Sequence, residues 1–320
     1  MQFLSKYRIS RSKFISKLTS IFRHEIWNVG IIHKPIHAVI QSGYDCNIQW
    51  LPLIERNVFF ADPFGIIYNG ELFILCEKFD YQSGMGRIVS IRISEDTNIE
   101  ELAIDINCPF HIAYPYLLQD RNSIFCIPET SRSAEVRLYK ALDFPDKWHH
   151  VGNLVEGIHA ADVTVYKYNS MWWMWFTNAE SDSNRDLYLW YAEELTGRWR
   201  PHPKNPVKSS VSSSRSAGTP YVHDGKLYRP AQDCSRSYGA QIVVNEVLTL
   251  TPAHYEEKET AVLHPNPNSP YSMGIHTISS VGDWTLIDAK TTAFLPQGVK
   301  LAFRKGVHFL AHGFHPEFHR

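Results

Sequence analysis

The feature that most constrains this chain is a pattern of strand, turn and strand that occurs five times. The second residues of the five segments are Asp62, Tyr114, Asp162, Thr219 and His276, so successive units are 52, 48, 57 and 57 residues apart. Each turn carries residues that favour tight hairpins, namely Asn-Gly, Arg-Asn, Asn-Ser, Asp-Gly and Gly-Asp. The pattern therefore predicts five β-hairpins of the same design.

The residues between these hairpins supply two more strands per period, for example the segments RIVSIRI and DLYLWYA. Four strands in a unit of about 50 residues are typical of a propeller blade. A helical fold is excluded because Pro and Gly interrupt the chain and no long stretch has a 3.6-residue period. An open β-sandwich would not require one motif five times. The sequence thus predicts an all-β fold: a five-bladed β-propeller over residues 46–320, repeated over 62–290, after a basic extension of residues 1–45 with a short helix.

A basic and amphipathic stretch opens the sequence. Residues 1–24 contain six Lys and Arg residues and neither Asp nor Glu. Apolar side chains are spaced as on one face of a helix at Phe14, Leu18, Ile21 and Phe22. Two interpretations remain open: a helix that lies on an anionic membrane surface, or a short helix packed on the propeller with its lysines in solvent.

Composition excludes several classes of function. The net charge of −1 gives no global field that would attract nucleic acid. Five cysteines, far apart and without a CxxC pair, favour reduced thiols over disulfides or structural zinc. The 16 histidines have no metal-ligand spacing, so neither a metal nor another cofactor is predicted. Without an apolar run of about 18 residues or a signal peptide, the predicted location is the cytoplasm, or the inner face of the membrane if the basic helix binds there.

Hairpin geometry predicts where the chemistry lies. The start of the first strand and the end of the second are adjacent, so residues about 15 apart across each turn meet at one end of the blade. The predicted neighbours are Asp62 and Glu77, Tyr114 and Glu129, Asp162 and Thr177, Thr219 and Asp233, and His276 and Lys290. All five pairs are expected to ring the mouth of the central channel.

Such a ring would gather acidic and basic side chains in one funnel. The carboxylates are Asp62, Glu77, Glu129, Asp162 and Asp233. The facing cations are His276, Lys290 and either Arg215 or Arg229. Crowded carboxylates cannot all ionise easily, so at least one should have a raised pKa and act as an acid. Glycosyl transfer needs such an acid and a second carboxylate that activates water or an acceptor hydroxyl.

Aromatic side chains near the rim would suit stacking against sugar rings. They are Tyr114, Tyr116, Trp172, Trp173 and Tyr238. Each of these assignments has a structural alternative. Carboxylates at strand ends often cap backbone amides or pair with a neighbouring Arg or Lys, and tryptophans often pack inside blades.

Several longer motifs point to one family. They are FADPF around Asp62, YPYLL followed by IPE at Glu129, AADVTVY with WWMWFT, AGTPYVHDGKLYRPAQDCSRSYG, and GIHTIS followed by WTLIDAK. Together they resemble the N-terminal domain of plant glucosamine inositolphosphorylceramide transferases and its stand-alone bacterial relatives, over roughly residues 25–305. The resemblance implies a setting of glycosyl transfer.

That domain is in turn similar to the five-bladed propellers of arabinanases and xylosidases. Those enzymes carry an Asp base in blade one, a pKa-tuning Asp in blade two and a Glu acid in blade three. The resemblance places Asp62 at the base position. Tyr114 replaces the second-blade Asp and blade three offers Asp162, so Glu129 could supply an acid from the neighbouring blade.

The leading hypothesis is a cytoplasmic enzyme that transfers a glycosyl group during assembly of a surface polysaccharide or glycolipid. The predicted catalytic residues are Asp62, Glu129 and Asp162. The predicted substrate-binding residues are Glu77, Tyr114, Arg215, Arg229, Asp233, His276 and Lys290. The expected ligand is a sugar or glycan, including a nucleotide sugar or a glycolipid, whose phosphate the cations would bind. Two alternatives remain open: a glycoside hydrolase of the propeller clan, and a non-catalytic glycan-binding propeller that supports a partner transferase.

Overall fold

The computed structural model of the chain describes residues 23–294 except 44–46, 54, 56, 95–97 and 107, with the backbone alone for Phe294. The described residues form antiparallel sheets arranged as five blades, and the predicted all-β propeller is confirmed. One α-helix, α1 (Ile36–Ser42), is present in this part of the chain. No helix among these residues is long and apolar enough to cross a membrane.

The first four blades follow one another along the chain. Blade one contains β3 (Val58–Tyr68), β4 (Glu71–Asp80), β5 (Met85–Ile93) and β6 (Ile99–Ala103). Blade two contains β7 (Ala113–Asp120), β8 (Ser123–Glu129), β9 (Glu135–Asp143) and β10 (Lys147–Glu156), with a 3₁₀ turn at Ser131–Ser133. Blade three contains β11 (Ala160–Tyr168), β12 (Met171–Asn178), β13 (Asp186–Ala192), β14 (Arg200–Pro201) and β15 (Lys208–Ser209). Blade four contains β16 (Tyr221–His223), β17 (Lys226–Asp233), β18 (Gln241–Leu250) and β19 (Tyr255–Leu263).

Blade five is assembled from both ends of the described chain. It combines β20 (Ile278–Val281) and β21 (Trp284–Phe294) with β1 (Arg23–Ile32) and β2 (Gln49–Trp50). Strand β1 pairs with β21 from Arg23 opposite Phe294 to Ile32 opposite Thr285. Residues within the predicted extension of 1–45 therefore supply a strand of the propeller, and the ring is closed by pairing that is remote in sequence.

The N-terminal segment is otherwise described only in part. Helix α1 buries Ile36 and Val39 against residues of blades four and five. The predicted amphipathic helix of residues 1–24 lies outside the described residues up to residue 22, and Arg23 already begins β1. Its membrane contact stays a prediction.

The predicted hairpin turns lie where the sequence indicated. Asn69 and Gly70 join β3 to β4, and Asp224 and Gly225 join β16 to β17. All four have positive φ, of 52°, 85°, 49° and 75°, as expected for turns whose twist matches the flanking strands. RIVSIRI and DLYLWYA form β5 and β13, as predicted.

A β-bulge recurs at the start of the innermost strand in three blades. Asp62, Tyr114 and Asp162 have φ of 54°, 43° and 48°, and the strand register shifts at each. A bulge redirects a side chain and ends regular pairing. Each of these residues therefore reaches toward a neighbouring blade instead of lying flat in its own sheet.

Most of the aromatic residues proposed for the rim lie in the core instead. Tyr114, Tyr116, Trp172 and Trp173 are buried among apolar neighbours. Trp172 and Trp173 are consecutive and lie on opposite faces of β12, and both faces are buried in the core, so packing determines their position. Tyr238, on the loop after β17, is half-buried and is the one of the five predicted residues that lines the mouth.

Candidate functional site

Strand register brings together three of the five predicted pairs. Glu77 lies opposite Ala61, Glu129 opposite Ala113, and Thr177 opposite Ala161, each one residue from the predicted partner. The other two pairs are displaced. The backbone N–H of Thr219 donates to the backbone oxygen of Ile278 in blade five (3.1 Å) and does not pair near Asp233. Lys290 pairs with Gly274 and not with His276.

His276 lies between two carboxylates. Its Nε2 is 3.0 Å from Oδ1 of Asp62, and its Nδ1 is 2.8 Å from Oδ1 of Asp288. Burial alone would lower the pKa of His276, but the two carboxylates outweigh it and raise the pKa to about 10. The ring is therefore an imidazolium at neutral pH. Asp62 also accepts hydrogen bonds from the hydroxyl of Thr277 (3.1 Å) and the backbone N–H of Tyr114 (3.2 Å).

The same three residues have the spacing of a metal site. Ligand atoms of Asp62, His276 and Asp288 lie within 4.8 Å of one another. A metal ion would bind a neutral imidazole nitrogen, and both ring nitrogens here face carboxylates as proton donors. When protonated, the ring supplies a positive charge between the two acids, whereas a metal ion at this position would need it as a neutral ligand.

A second group joins blades two, three and four. The backbone N–H of Asp162 donates to Oε2 of Glu129 (3.0 Å). The Asp162 carboxylate accepts from Nε of Arg215 (2.5 Å) and Nε2 of Gln232 (2.7 Å). Nη2 of Arg215 is 4.0 Å from Glu129. Three of the predicted site residues, Glu129, Asp162 and Arg215, are thus brought together, as a brace between blades.

Tyr114 lies beneath the mouth and does not face it. Its hydroxyl is 2.8 Å from Oγ1 of Thr164 and accepts a hydrogen bond from the backbone N–H of Gly218 (2.7 Å). The side chain is fully buried, and burial raises its pKa well above the usual value. Tyr114 therefore links blades two, three and four, and the prediction that it binds substrate stays a prediction.

Arg229 is also directed away from the mouth. It forms a buried ion pair with Glu257 (2.7 Å) and donates to the backbone oxygens of Ser213 and Ser214. Burial would raise the pKa of Glu257, but Arg229 and Lys208 lower it to about 2. This ion pair lies within blade four, and the prediction that Arg229 binds substrate stays a prediction.

Asp233 caps the loop that follows its own strand. It accepts hydrogen bonds from the backbone N–H of Ser235 and from the side chain of Gln241, both at 2.8 Å. The predicted funnel of crowded carboxylates is therefore divided, because Asp62, Glu129, Asp162 and Asp233 are each held by donors of their own.

The concave part of the mouth is an aromatic cleft lined mainly by residues of blades five and one. Its rings are Trp27, Phe59, Phe79, Tyr81 and Tyr238. Its polar lining consists of Glu25, Glu77, His111 and His276. We call this set the aromatic cleft.

Lys290 and Arg215 support one side of the cleft. Nζ of Lys290 is bonded to Glu25 (2.8 Å) and to the backbone oxygen of Tyr238 (2.6 Å), and it lies 5.0 Å from the ring centre of Trp27. The guanidinium of Arg215 lies 5.1 Å from the ring centre of Tyr238. The two cations thus fix the aromatic wall.

Most residues that line the mouth were not predicted from the sequence, and three of them are instructive: Trp27, Asp288 and His111. Trp27 belongs to the strand from the N-terminal segment, and Asp288 is part of WTLIDAK but two residues before the predicted Lys290. His111 had a signal in the repeat: it lies two residues before the start of its unit, and His159 has the same position in the next unit.

Comparison with known proteins identifies one family. The sequence profile of the family described as "Glucosamine inositolphosphorylceramide transferase 1, N-terminal" matches residues 52–270. Glucosamine inositolphosphorylceramide transferase 1 of Oryza sativa subsp. japonica is 31% identical over 205 residues, which are 62% of this chain and 27% of that protein. The Arabidopsis thaliana protein of the same name is 28% identical over 207 residues, 63% of this chain and 27% of that protein. The chain thus spans about a quarter of the length of these relatives.

Solved structures with the same fold are glycoside hydrolases. A family 117 glycoside hydrolase from Zobellia galactanivorans has a TM-score of 0.52 at 14% identity and covers 75% of this chain and 86% of its own. An α-L-arabinofuranosidase from Podospora anserina has a TM-score of 0.55 at 11% identity, with 75% and 93% covered. At such identities the likeness supports the propeller fold alone.

Proposed function

Because this chain belongs to the family of the N-terminal domain of glucosamine inositolphosphorylceramide transferase 1, we propose that it serves glycosyl transfer to a lipid-linked acceptor and holds a sugar in the aromatic cleft. The family's name suggests an inositolphosphorylceramide acceptor and an amino sugar. Assembly of a surface polysaccharide or glycolipid is the corresponding cellular setting.

The observation that carries this proposal is the aromatic cleft itself. Five rings surround a small space whose polar lining includes Glu77, His111 and His276. Aromatic faces stack on the apolar faces of sugars, and a few polar groups fix orientation. The cleft provides both at the end of the propeller axis.

Glu77 is the carboxylate of the cleft best placed to accept a proton from an acceptor hydroxyl. Its side chain is 5% exposed and lies in the cleft lining. Asp62 is bound to His276, Thr277 and a backbone N–H. Catalytic roles for Asp62, Glu129 and Asp162 remain predictions, and their contacts favour a role in holding the mouth in shape.

The test is turnover by purified protein with a panel of nucleotide sugars and vesicles that contain inositolphosphorylceramide, with products identified by mass spectrometry. Glu77→Gln should lower kcat by about 10²- to 10⁴-fold, the usual contribution of a general base. Glu101→Gln, an exposed carboxylate of the same blade, is the matched control. Unchanged kcat in Glu77→Gln would overturn the assignment of Glu77, and a product formed from water would favour the hydrolase.

A glycan-recognition module is the second candidate. It is favoured by the hydrogen bonds that occupy Asp62 and Asp162 and by the buried ring of Tyr114. Calorimetric binding of a sugar probe without turnover in any mixture would favour this module.

Membrane contact through residues 1–24 completes the proposal for a lipid acceptor. The six basic residues of this segment are the supporting observation. Cosedimentation with phosphatidylserine vesicles, but not with phosphatidylcholine vesicles, is the expected result. Deletion of residues 1–22 should abolish it.

A further inference from the structure

We propose that His111 is a positioning residue that orients the Glu77 carboxylate so that it accepts a sugar hydroxyl in the aromatic cleft. The inference rests on the proposed function for its ligand. Its geometry rests on His111, Glu77 and Gly86, which together form what we call the His–Glu cradle.

The backbone fixes the tautomer of His111. The N–H of Gly86 donates to Nδ1 of His111 (2.9 Å), so Nδ1 must present a lone pair and Nε2 carries the proton. Nε2 lies 3.4 Å from Oε1 of Glu77. The backbone donor thus fixes the tautomer that places the protonated nitrogen of His111 beside the carboxylate, in a contact that is longer than a well-formed hydrogen bond.

Packing holds the two side chains in place. The ring of His111 meets Phe79 edge-on, with 6.0 Å between ring centres. The side chains of His111 and Glu77 are 14% and 5% exposed. A carboxylate has about four acceptor sites, so a contact with His111 is compatible with a hydroxyl from the cleft on the same group.

Gly86 has no side chain because the cradle occupies that space. A Cβ at this position would collide with Oε1 of Glu77 and would lie 2.6 Å from Cε1 of His111. The φ of Gly86 is not in the left-handed region, so its backbone conformation does not require glycine. Glycine is required at this position because Glu77 and His111 approach the backbone closely.

The other charged groups of the cleft have partners that fix them elsewhere. Glu25 is bonded to Lys290, and His276 is held between Asp62 and Asp288. The His–Glu cradle is the part of the lining in which a histidine of fixed tautomer lies beside a carboxylate. That arrangement orients an acceptor without adding a positive charge.

The first test reads the tautomer directly. In protein labelled with ¹⁵N-histidine, NMR should give a protonated Nε2 and an unprotonated Nδ1 for His111. The Nε2 signal should move in Glu77→Gln and stay in Glu101→Gln. A protonated Nδ1, or no response to Glu77→Gln, would overturn the proposal whatever the protein binds.

The second test separates positioning from mere support. Asn in place of His111 keeps an acceptor for Gly86 but has no donor that reaches Glu77, whereas Gln has a donor near the position of Nε2. In calorimetric titrations with UDP-N-acetylglucosamine and with methyl α-D-glucopyranoside, His111→Asn should weaken binding about 10- to 100-fold. His111→Gln should bind at least tenfold more tightly than His111→Asn. Equal losses in the two variants would overturn the proposal.

Gly86→Ala and an exposed control complete the design. Gly86→Ala should weaken binding as His111→Asn does and shift the His111 signals, because the new methyl group displaces the cradle. His149→Gln, on exposed strand β10, should bind as wild type does. If wild type binds neither probe, the proposed function and the ligand of the cradle both fail. The NMR measurement of the tautomer then still tests whether His111 orients Glu77.

Discussion

Nε2 of His276 lies 3.0 Å from Oδ1 of Asp62, and this contact joins the last blade of the propeller to the first. The backbone N–H of Asp62 in turn donates to Asp288 (2.8 Å). The junction that closes the ring is thus an imidazolium between two carboxylates, buried from water. Its charge state is therefore coupled to the stability of the whole ring.

Stability should fall as the pH rises through the titration of His276. The pKa is raised from 6.5 to about 10 in the folded state, so the stabilisation is complete below 6.5 and is lost between 6.5 and 10. Urea unfolding across this range should give a declining free energy of unfolding for wild type. His276→Gln should be less stable at pH 6 and show a flatter profile, and His149→Gln should follow wild type. Parallel profiles for wild type and His276→Gln would contradict the assignment.

Removal of the Tyr114 hydroxyl should destabilise the propeller. Phenylalanine at this position leaves the buried N–H of Gly218 without its acceptor (2.7 Å), which costs about 1–3 kcal/mol. Tyr116→Phe removes a hydroxyl from the same aromatic cluster and should cost less. Urea unfolding measures the free energy of unfolding of both variants, and equal losses would show that the Tyr114 hydroxyl has no special role.

The buried pair of Arg229 and Glu257 should be important for folding and neutral for ligand binding. Glu257→Gln leaves Arg229 without its counter-charge, at a cost of about 3–5 kcal/mol at neutral pH. Because the folded pKa of Glu257 is lowered to about 2, the difference from wild type should shrink as the pH falls from 4.5 toward 2. Glu246→Gln, in a less buried pair with Lys226, is the control. Lost binding of UDP-N-acetylglucosamine in folded Glu257→Gln would place this pair in the site after all.

Local signals explain what could be predicted from the sequence. Turns such as Asn69–Gly70 depend on adjacent residues, and alternation determines which side of a strand is buried, so the hairpins and the fold follow from the repeat. The neighbours of Asp62 and Asp162 were harder to predict from the sequence, because three bulges and the long loop before blade four shift the register. A shift of one or two residues is enough to replace Lys290 by Asp288 as the partner of His276.

Contacts remote in sequence explain what could not be predicted. The partner of β21 is β1, more than 250 residues away, and no turn signal links them. Arg229 and Asp233 share one side of β17, but Asp233 ends the strand whereas Arg229 meets Glu257 of β19 within the blade. Position along the strand, and not residue type, therefore decides which charged group reaches the mouth.

Gly218 should be required for the junction between blades four and five. Its φ is 112°, and a Cβ would collide with the backbone oxygen of Ile278. Gly225, in the turn after β16, also has a positive φ, of 75°, but a Cβ there meets nothing within 4 Å. Gly225→Ala thus has only the conformational cost, about 1–2 kcal/mol, whereas Gly218→Ala must also push apart two paired backbone segments.

The pair of variants distinguishes conformation from contact at the ring. Urea unfolding should give a markedly larger loss of unfolding free energy for Gly218→Ala. This variant also disturbs the hydrogen bond that the Gly218 N–H donates to the hydroxyl of Tyr114. Because the backbone of Ile278 is held on its other side by strand β21, it cannot retreat as a flexible side chain would. Equal losses in the two variants would mean that the junction yields easily, and the mouth built on it would then be less rigid than these contacts require.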